Sequence, residues 1–377
     1  MKKLANKKYL DELQYARAFA IMAVLCVHGT STGLGATPHD SIMFHVYSFI
    51  NMFGKLGTPT FFFISSFVLF YTYYNKPLDG SLLKRFYTNR LAYLLVPYFI
   101  FSLLYWGVKG YIYGMGTFEE EAKRLVLLLA TGKAHTHLYF VFVSVQFYVL
   151  FPLIMYLFKN VRFVRKNAIL LGIILQALWI YLNSEFFKVE MKGSVCLSYI
   201  MPYFVGAYFG IYYNKIIDKA KDIRKIFLPI AIICIGFGLS LCFHVGIMDL
   251  SRSGITKLPN LWYEFGWSSY ALFSSLFVFT LVHYIELNAS SKVKGFLEAI
   301  GSVSFGIYLV HPFFLMLTRH ILTTGSPVTF HGWQILSYLI ALFGSWAVVR
   351  GVYNYFPYSW IFFGKDSAKR KVNKNRG

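Results

Sequence analysis

The sequence predicts an all-α membrane protein: a bundle of about ten transmembrane helices with the N-terminus and C-terminus both cytoplasmic. Three observations predict it. Of the 377 residues, 57% are hydrophobic and only 14% charged, where a soluble domain carries nearer a quarter. Apolar runs recur along the whole chain at about the 20-residue length a membrane helix needs. Lys and Arg gather in alternate loops, as the cytoplasmic loops of membrane proteins do. The expected location is the cell (plasma) membrane, crossed many times, with no segment large enough for a separate soluble domain.

The candidate spans run over 13–32, 42–73, 90–113, 138–158, 167–184, 196–213, 227–245, 267–286, 301–320 and 334–355. The first is read as a retained span and not a signal peptide, because Asp11, Glu12 and Arg17 precede a short apolar stretch with no A-x-A site after it. The second is long, and Gly54, Gly57 and Pro59 mark a tilt or break. Between the third and fourth lies the acidic run Glu119-Glu120-Glu121 and a short apolar piece, Leu125 to Ala130. That piece is too short to span and is expected to be interfacial or re-entrant.

Charge sets the expected orientation. With the N-terminus inside, the inner segments 1–12, 74–90, 159–166, 214–225, 287–300 and the tail from Phe356 hold 25 Lys and Arg. The outer loops and outer span ends hold 8. This bias accounts for most of the net charge of +21, so nucleic acid is not an expected partner. Cys26, Cys196, Cys234 and Cys242 sit in apolar segments at no metal-ligand spacing and are expected to be small buried hydrophobes. Intramembrane carboxylates are nearly absent, Glu264 and Glu286 standing at the ends of one span, which weighs against an ion-coupled transporter.

The first span carries the leading candidates. Arg17 and His28 are eleven residues apart, three turns plus about 20°, so they share one helix face about 16 Å apart along the axis. An ionisable group inside a span is a functional candidate. The alternative is an Arg that snorkels to the interface and a His that bonds a neighbouring helix. On the orientation above, Arg17 faces the cytoplasm and His28 the outside.

Four stretches in order resemble acyltransferase family 3, the bacterial integral-membrane O-acyltransferases that modify cell-surface glycans. They are RAFAIMAVLCVH with Arg17 and His28, GKLGTPTFFFISSFVLF over 54–70, KRFYTNRLAYLLVPY over 84–98, and SVSFGIYLVHPFF over 302–314. A weaker fifth, HLYFVFVSVQFYVLFP over 137–152, has Tyr139 where a Trp is commoner, and Ser66 stands where a Gly is common. The resemblance covers 9–355 as one transmembrane domain and leaves 356–377 as a basic cytoplasmic tail. The Arg90 to Pro97 spacing resembles the intercellular-adhesion polysaccharide branch, whose members have been viewed as exporters and as succinyltransferases.

The resemblance implies transfer of an acyl group, acetyl or succinyl, from cytoplasmic acyl-CoA as co-substrate to a hydroxyl of a glycan or lipid-linked glycan acceptor. The alternative it leaves open is an exopolysaccharide exporter or flippase. Such a transfer needs a base, and imidazole, with an unperturbed pKa of about 6.5, suits neutral pH. His28 is the candidate base, with direct attack by its imidazole as the less favoured route. Arg17, Lys84, Arg85 and Arg90 are candidates to hold the donor phosphates. Topology signalling is the alternative for Lys84 and Arg85, and snorkelling for Arg90. His137 and Tyr139 are acceptor candidates, and Ser304, Tyr308 and His311 share a helix face at i, i+4, i+7 that the resemblance implies lines the cavity. Interfacial anchoring is the alternative for Tyr139, and interhelical bonding for the last three. His135 and His137 are spaced H-x-H with no third ligand, so no metal is expected. Ser65 and Ser66 read as packing residues, and Lys55 is an ionisable group without an identified partner.

Overall fold

The computed structural model describes residues 10–321 and 326–365, whose regular structure is all helical, with no strand among them. In chain order the helices are α1 (Glu12–Ala36), α2 (Ile42–Gly54), α3 (Gly57–Tyr73), α4 (Gly80–Tyr113), α5 (Phe118–Thr131), α6 (Tyr139–Asn160), α7 (Arg162–Lys166) and α8 (Ala168–Leu182). There follow α9 (Ile200–Ala220), α10 (Ile223–Arg252), α11 (Asn260–Asn288), α12 (Ser291–Gly301), α13 (Ser304–Ile321), α14 (Pro327–Leu339), α15 (Ser345–Tyr355) and α16 (Trp360–Phe363). Polar residues at the loop edges start several of them. Asp79 accepts from Leu82 N at 2.8 Å, Thr117 and Glu120 form a capping box, and Ser326 precedes Pro327 at the first turn of α14.

Eight helical stretches among the described residues are long and apolar enough to cross a membrane, or nine counting the bent pair α12 and α13. The sequence reading of ten also counts 196–213. The helix found there, α9, is 21 residues long but is not among those stretches. It nonetheless runs from one end of the bundle to the other: Tyr199, just before it, packs on Trp267, and Tyr213 donates to Glu12 at the start of α1 at 2.6 Å. Wrapped in protein, α9 does not need a lipid-compatible surface, which explains its lower apolarity. The multi-pass membrane bundle is thus as expected. The second span is indeed broken, at Lys55 and Leu56 between α2 and α3.

Glycines set the closest approaches in the core. A Cβ on Gly206 would lie 2.3 Å from Phe63 O, and one on Gly210 2.5 Å from Phe67 O, so α9 runs backbone to backbone along α3. Ser66 reinforces that seam, its hydroxyl donating to Tyr203 O at 2.6 Å. Helix α1 is held the same way, with Gly54 against Ala23 O, Gly57 against Ala20 O and Gly301 against Gln14 O.

The periphery is different. Helix α10 buries only Ser240, His244 and Ile247 of its 30 residues. Cys234 and Cys242 are exposed on it, which corrects the expectation of four buried cysteines; only Cys196 is buried, and all four are free. In a membrane an exposed apolar face meets lipid, so a Cys there is as compatible as one in the core.

The ends of the bundle can be told apart by their contacts. At one end, Glu12, Tyr213 and His283 meet, Arg350 donates to Ser302 at 2.9 Å, and Tyr353 donates to Phe363 O at 2.8 Å. Residues 356–364 pack there against α4, so the folded unit runs beyond 355. At the other end, Arg319 donates to His28 O at 2.7 Å and Arg252 to Asn51 Oδ1 at 2.9 Å. Helix α5 has no buried residue, in keeping with an interfacial helix, and the segment after it dips into the bundle, leaving His137 only 1% exposed.

Candidate active site

The site is built around α1. Its Ala-rich face accepts the glycine contacts of α2, α3 and α12, and this fixes the rise from Arg17 to His28 as a rigid span of about 16 Å. The structure places the two residues in different cavities.

His28 lies among imidazoles from three other chain positions. Its ring centre is 5.3 Å from that of His311 on α13 and 6.5 Å from that of His137, and His137 and His311 are 5.5 Å apart. His135 reaches His137 Nδ1 to Nδ1 at 2.9 Å. His311 Nδ1 is 3.1 Å from Ile307 O, the geometry of an Nδ1–H donating back along its own helix, which leaves Nε2 as an acceptor. Nε2 of both His137 and His311 is buried without a partner. Tyr308 donates to His137 O, and Tyr105 donates to Leu309 O at 2.7 Å, so the cluster is held from α4 and α13 together. Arg319 bonds both His28 O and Ser31 Oγ, bracing α1 toward its C-terminal end. Among the described residues no group of three or more His, Cys, Asp and Glu is arranged to hold a metal ion.

His28, His137, Tyr139 and Tyr308 line a cavity of about 430 Å³ at this end. Its walls mix flat rings, from Trp179, Trp267, Tyr199 and Tyr263, with the amides of Gln176, Asn183 and Asn260. The charged groups are Lys55 and an ion pair, Lys192 to Glu264. The loop that carries Lys192 is pinned to α6, since Gln146 bonds both Ser194 O, at 2.8 Å, and Cys196 N, at 2.9 Å. His311 does not line the cavity; it is fully buried and backs His28.

A second cavity, about 540 Å³, opens at the other end. Arg17, Arg85 and Arg90 line it together with Asn89, Lys365, Ser304 and Tyr93. Asn89 bonds Arg85 O at 2.8 Å, and Arg17 donates to Gln14 at 3.2 Å. Lys84 is exposed on α4 and, unlike Arg85 and Arg90, does not line this cavity. The shared face of Ser304, Tyr308 and His311 is thereby divided along α13. Ser304 serves the Arg17 cavity, Tyr308 stands between, and His311 backs His28.

Three rings, Phe61, Phe140 and Tyr308, line both cavities. Phe140 is centred 5.6 Å from Phe61 and 5.4 Å from Tyr308, so the three rings form an aromatic partition between the cavities. Sequence reading missed the partition, His244, and the pairing of Lys192 with Glu264. Nothing in local spacing marks them, although Lys192 and Glu264 are the kind of ionisable groups at span ends that repay pairing by eye.

The described residues thus form a multi-pass helical bundle with two cavities, imidazoles lining one and guanidiniums the other. The acyltransferase domain family matches residues 10–350, and the chain belongs to that family. It is 25% identical over 320 residues to a protein of Staphylococcus epidermidis named as a probable poly-beta-1,6-N-acetyl-D-glucosamine export protein, covering 82% of each chain. A protein of the same name from Staphylococcus aureus strain MSSA476 is 23% identical over 319 residues, covering 82% of this chain and 83% of that one. No solved structure is a significant match.

Proposed function

We propose that the protein moves an acyl group, acetyl or succinyl, from cytoplasmic acyl-CoA to a hydroxyl of a cell-surface glycan or its lipid-linked precursor. The observation that carries this reading is the pair of cavities meeting at Phe61, Phe140 and Tyr308, with arginines in one and His28 in the other. The excess of Lys and Arg in the loops of the Arg17 end supports reading that end as cytoplasmic.

In this reading Arg17, Arg85 and Arg90 hold the donor phosphates, where guanidinium forks suit phosphate oxygens. The donor arm reaches along α1 and presents its thioester at the partition. The acceptor sugar enters the other cavity, stacking on its rings and bonding its amides. His28 takes the proton from the acceptor hydroxyl as its oxygen attacks the thioester carbonyl carbon. The tetrahedral intermediate collapses, the carbon–sulfur bond breaks, and the leaving thiolate takes the proton back from His28. One ester forms, one thioester is consumed, and free CoA returns to the cytoplasm.

The names of the relatives favour a second reading, export of a polysaccharide on the same scaffold. The two differ in product. Mass spectrometry of envelope glycans from cells with the gene, without it, and with His28→Ala separates them. The transferase reading expects one acyl unit lost in the deletion and in His28→Ala at normal protein level. An unchanged glycan mass in all three strains overturns it.

A further inference from the structure

The His28 cavity holds charge that the transfer chemistry does not use. Lys55 lines it from the break between α2 and α3. A Cβ on Gly54 would lie 2.5 Å from Ala23 O and one on Gly57 2.5 Å from Ala20 O, so the two glycines press this break against α1 just below His28. Lys55 has no ion-pair partner among the described residues. A second cation stands one turn away: Arg252 donates to Asn51 Oδ1 at 2.9 Å and to Ser48 Oγ at 3.4 Å. Of the nearby carboxylates, Glu264 pairs with Lys192, and Asp249, which bonds His45 at 2.7 Å, faces Arg252 with its charge, which leaves Lys55 as the group without a carboxylate.

His244 adds an independent observation. It lines the same cavity, is 3% exposed, and neither of its ring nitrogens has a partner. The charged groups that act on it are Lys55 and Arg252. It is also one of only three buried residues on α10, so the helix turns its imidazole inward while most of its other residues are half-buried or exposed. A lone cation and an imidazole with two idle nitrogens are costly inside a membrane bundle unless a ligand completes them.

We propose that the acceptor carries an anionic group, a phosphate or carboxylate on its sugar, and that Lys55 and His244 hold that group while His28 faces the hydroxyl. The net positive charge of the cavity wall, Lys55 and Lys192 against Glu264, suits an anionic group. Stacking on Trp267 and Trp179 orients the ring, and the anion sets which edge of the sugar meets His28. The inference rests on reading this cavity as the acceptor site, and it is therefore tested by binding, without turnover.

The full chain, purified in neutral detergent, is titrated with glucose, glucuronate, glucose 6-phosphate and inorganic phosphate, and the tryptophan emission is followed. The charged sugars are expected to bind at least tenfold more tightly than glucose, and inorganic phosphate to compete with glucose 6-phosphate. Lys55→Gln should bring the preference within about twofold, Lys55→Arg should keep it, and His244→Gln should reduce it severalfold. His28→Ala should lose transfer yet keep the preference, so failure of the transferase reading leaves the binding result standing. Equal affinity for glucose and the charged sugars in the unmodified protein overturns the proposal. So does a preference that survives in a monodisperse Lys55→Gln protein, or phosphate that fails to compete.

Discussion

At the His28 end the polar groups are imidazoles, amides and indoles with the charged Lys55, Lys192 and Glu264, drawn from α1, α8, α10, α11, α13 and the segments around them. At the Arg17 end they are guanidiniums and hydroxyls, and much of the set comes from a single stretch of α4, Arg85 to Tyr93. The first arrangement suits a reaction that needs a proton moved and a sugar oriented. The second suits holding a charged, flexible molecule that stays near water. The difference also separates rigidity from reach. His137 and His311 are 1% and 0% exposed, whereas Arg85 and Asn89 are classed with the exposed residues.

Substitutions can break this comparison or sharpen it. The largest effect expected is from His28→Ala, a loss of about 10²–10⁴-fold in kcat for acyl transfer, the span usual for a removed general base. Single-turnover assays in membranes check it, and a variant within threefold of normal would remove His28 from the chemistry. Next come Arg85→Ala and Arg90→Ala. Losing one charge-assisted phosphate contact of about 1.5–3 kcal/mol raises KM for acyl-CoA roughly 10–150-fold with kcat little changed. A fall in kcat at unchanged KM would instead tie these arginines to the reacting atoms.

Opening the partition is a smaller perturbation. Phe140→Ala is expected to shift the ratio of kcat/KM toward longer acyl donors by about tenfold, in line with what a few methylenes are worth in an apolar pocket. Competition between acetyl-CoA and butyryl-CoA reads this directly, and an unaltered ratio would show that the donor does not pass these rings. The smallest effect is expected for Lys84→Ala, within about twofold in KM for acyl-CoA. A loss matching that of Arg85→Ala would contradict the placement of Lys84 outside the cavity.

Most of the bundle was legible in the sequence because membrane spans announce themselves by length and apolarity. Helix α9 was counted at 196–213 although it is one of the least apolar spans. Its Tyr and Gly content suits a helix surrounded by protein, and the packing of Gly206 and Gly210 on α3 accounts for it. Cys234 and Cys242 were misjudged because apolar composition does not tell a core-facing position from a lipid-facing one. Lys84 stands outside the cavity that Arg85 lines because adjacency in sequence is not adjacency on a helix surface.

By itself the sequence determined the class of protein, the order of the spans, the bias that orients them, and the eleven-residue spacing of Arg17 and His28 along one face. These depend on the transfer of side chains from water to lipid and on helix geometry, both local properties. Only the tertiary structure decided that His28, His137 and His311 share one neighbourhood, that Arg17 opens on a different cavity, and that Phe61, Phe140 and Tyr308 stand between the two. It decided as well that His244 turns inward beside Lys55. Which helix lies against which depends on glycine contacts such as Gly54 on Ala23 and Gly301 on Gln14, which join residues far apart in the chain. No pattern read along the chain encodes such a pairing, because close packing is a property of two surfaces and each surface is visible in the sequence only one helix at a time.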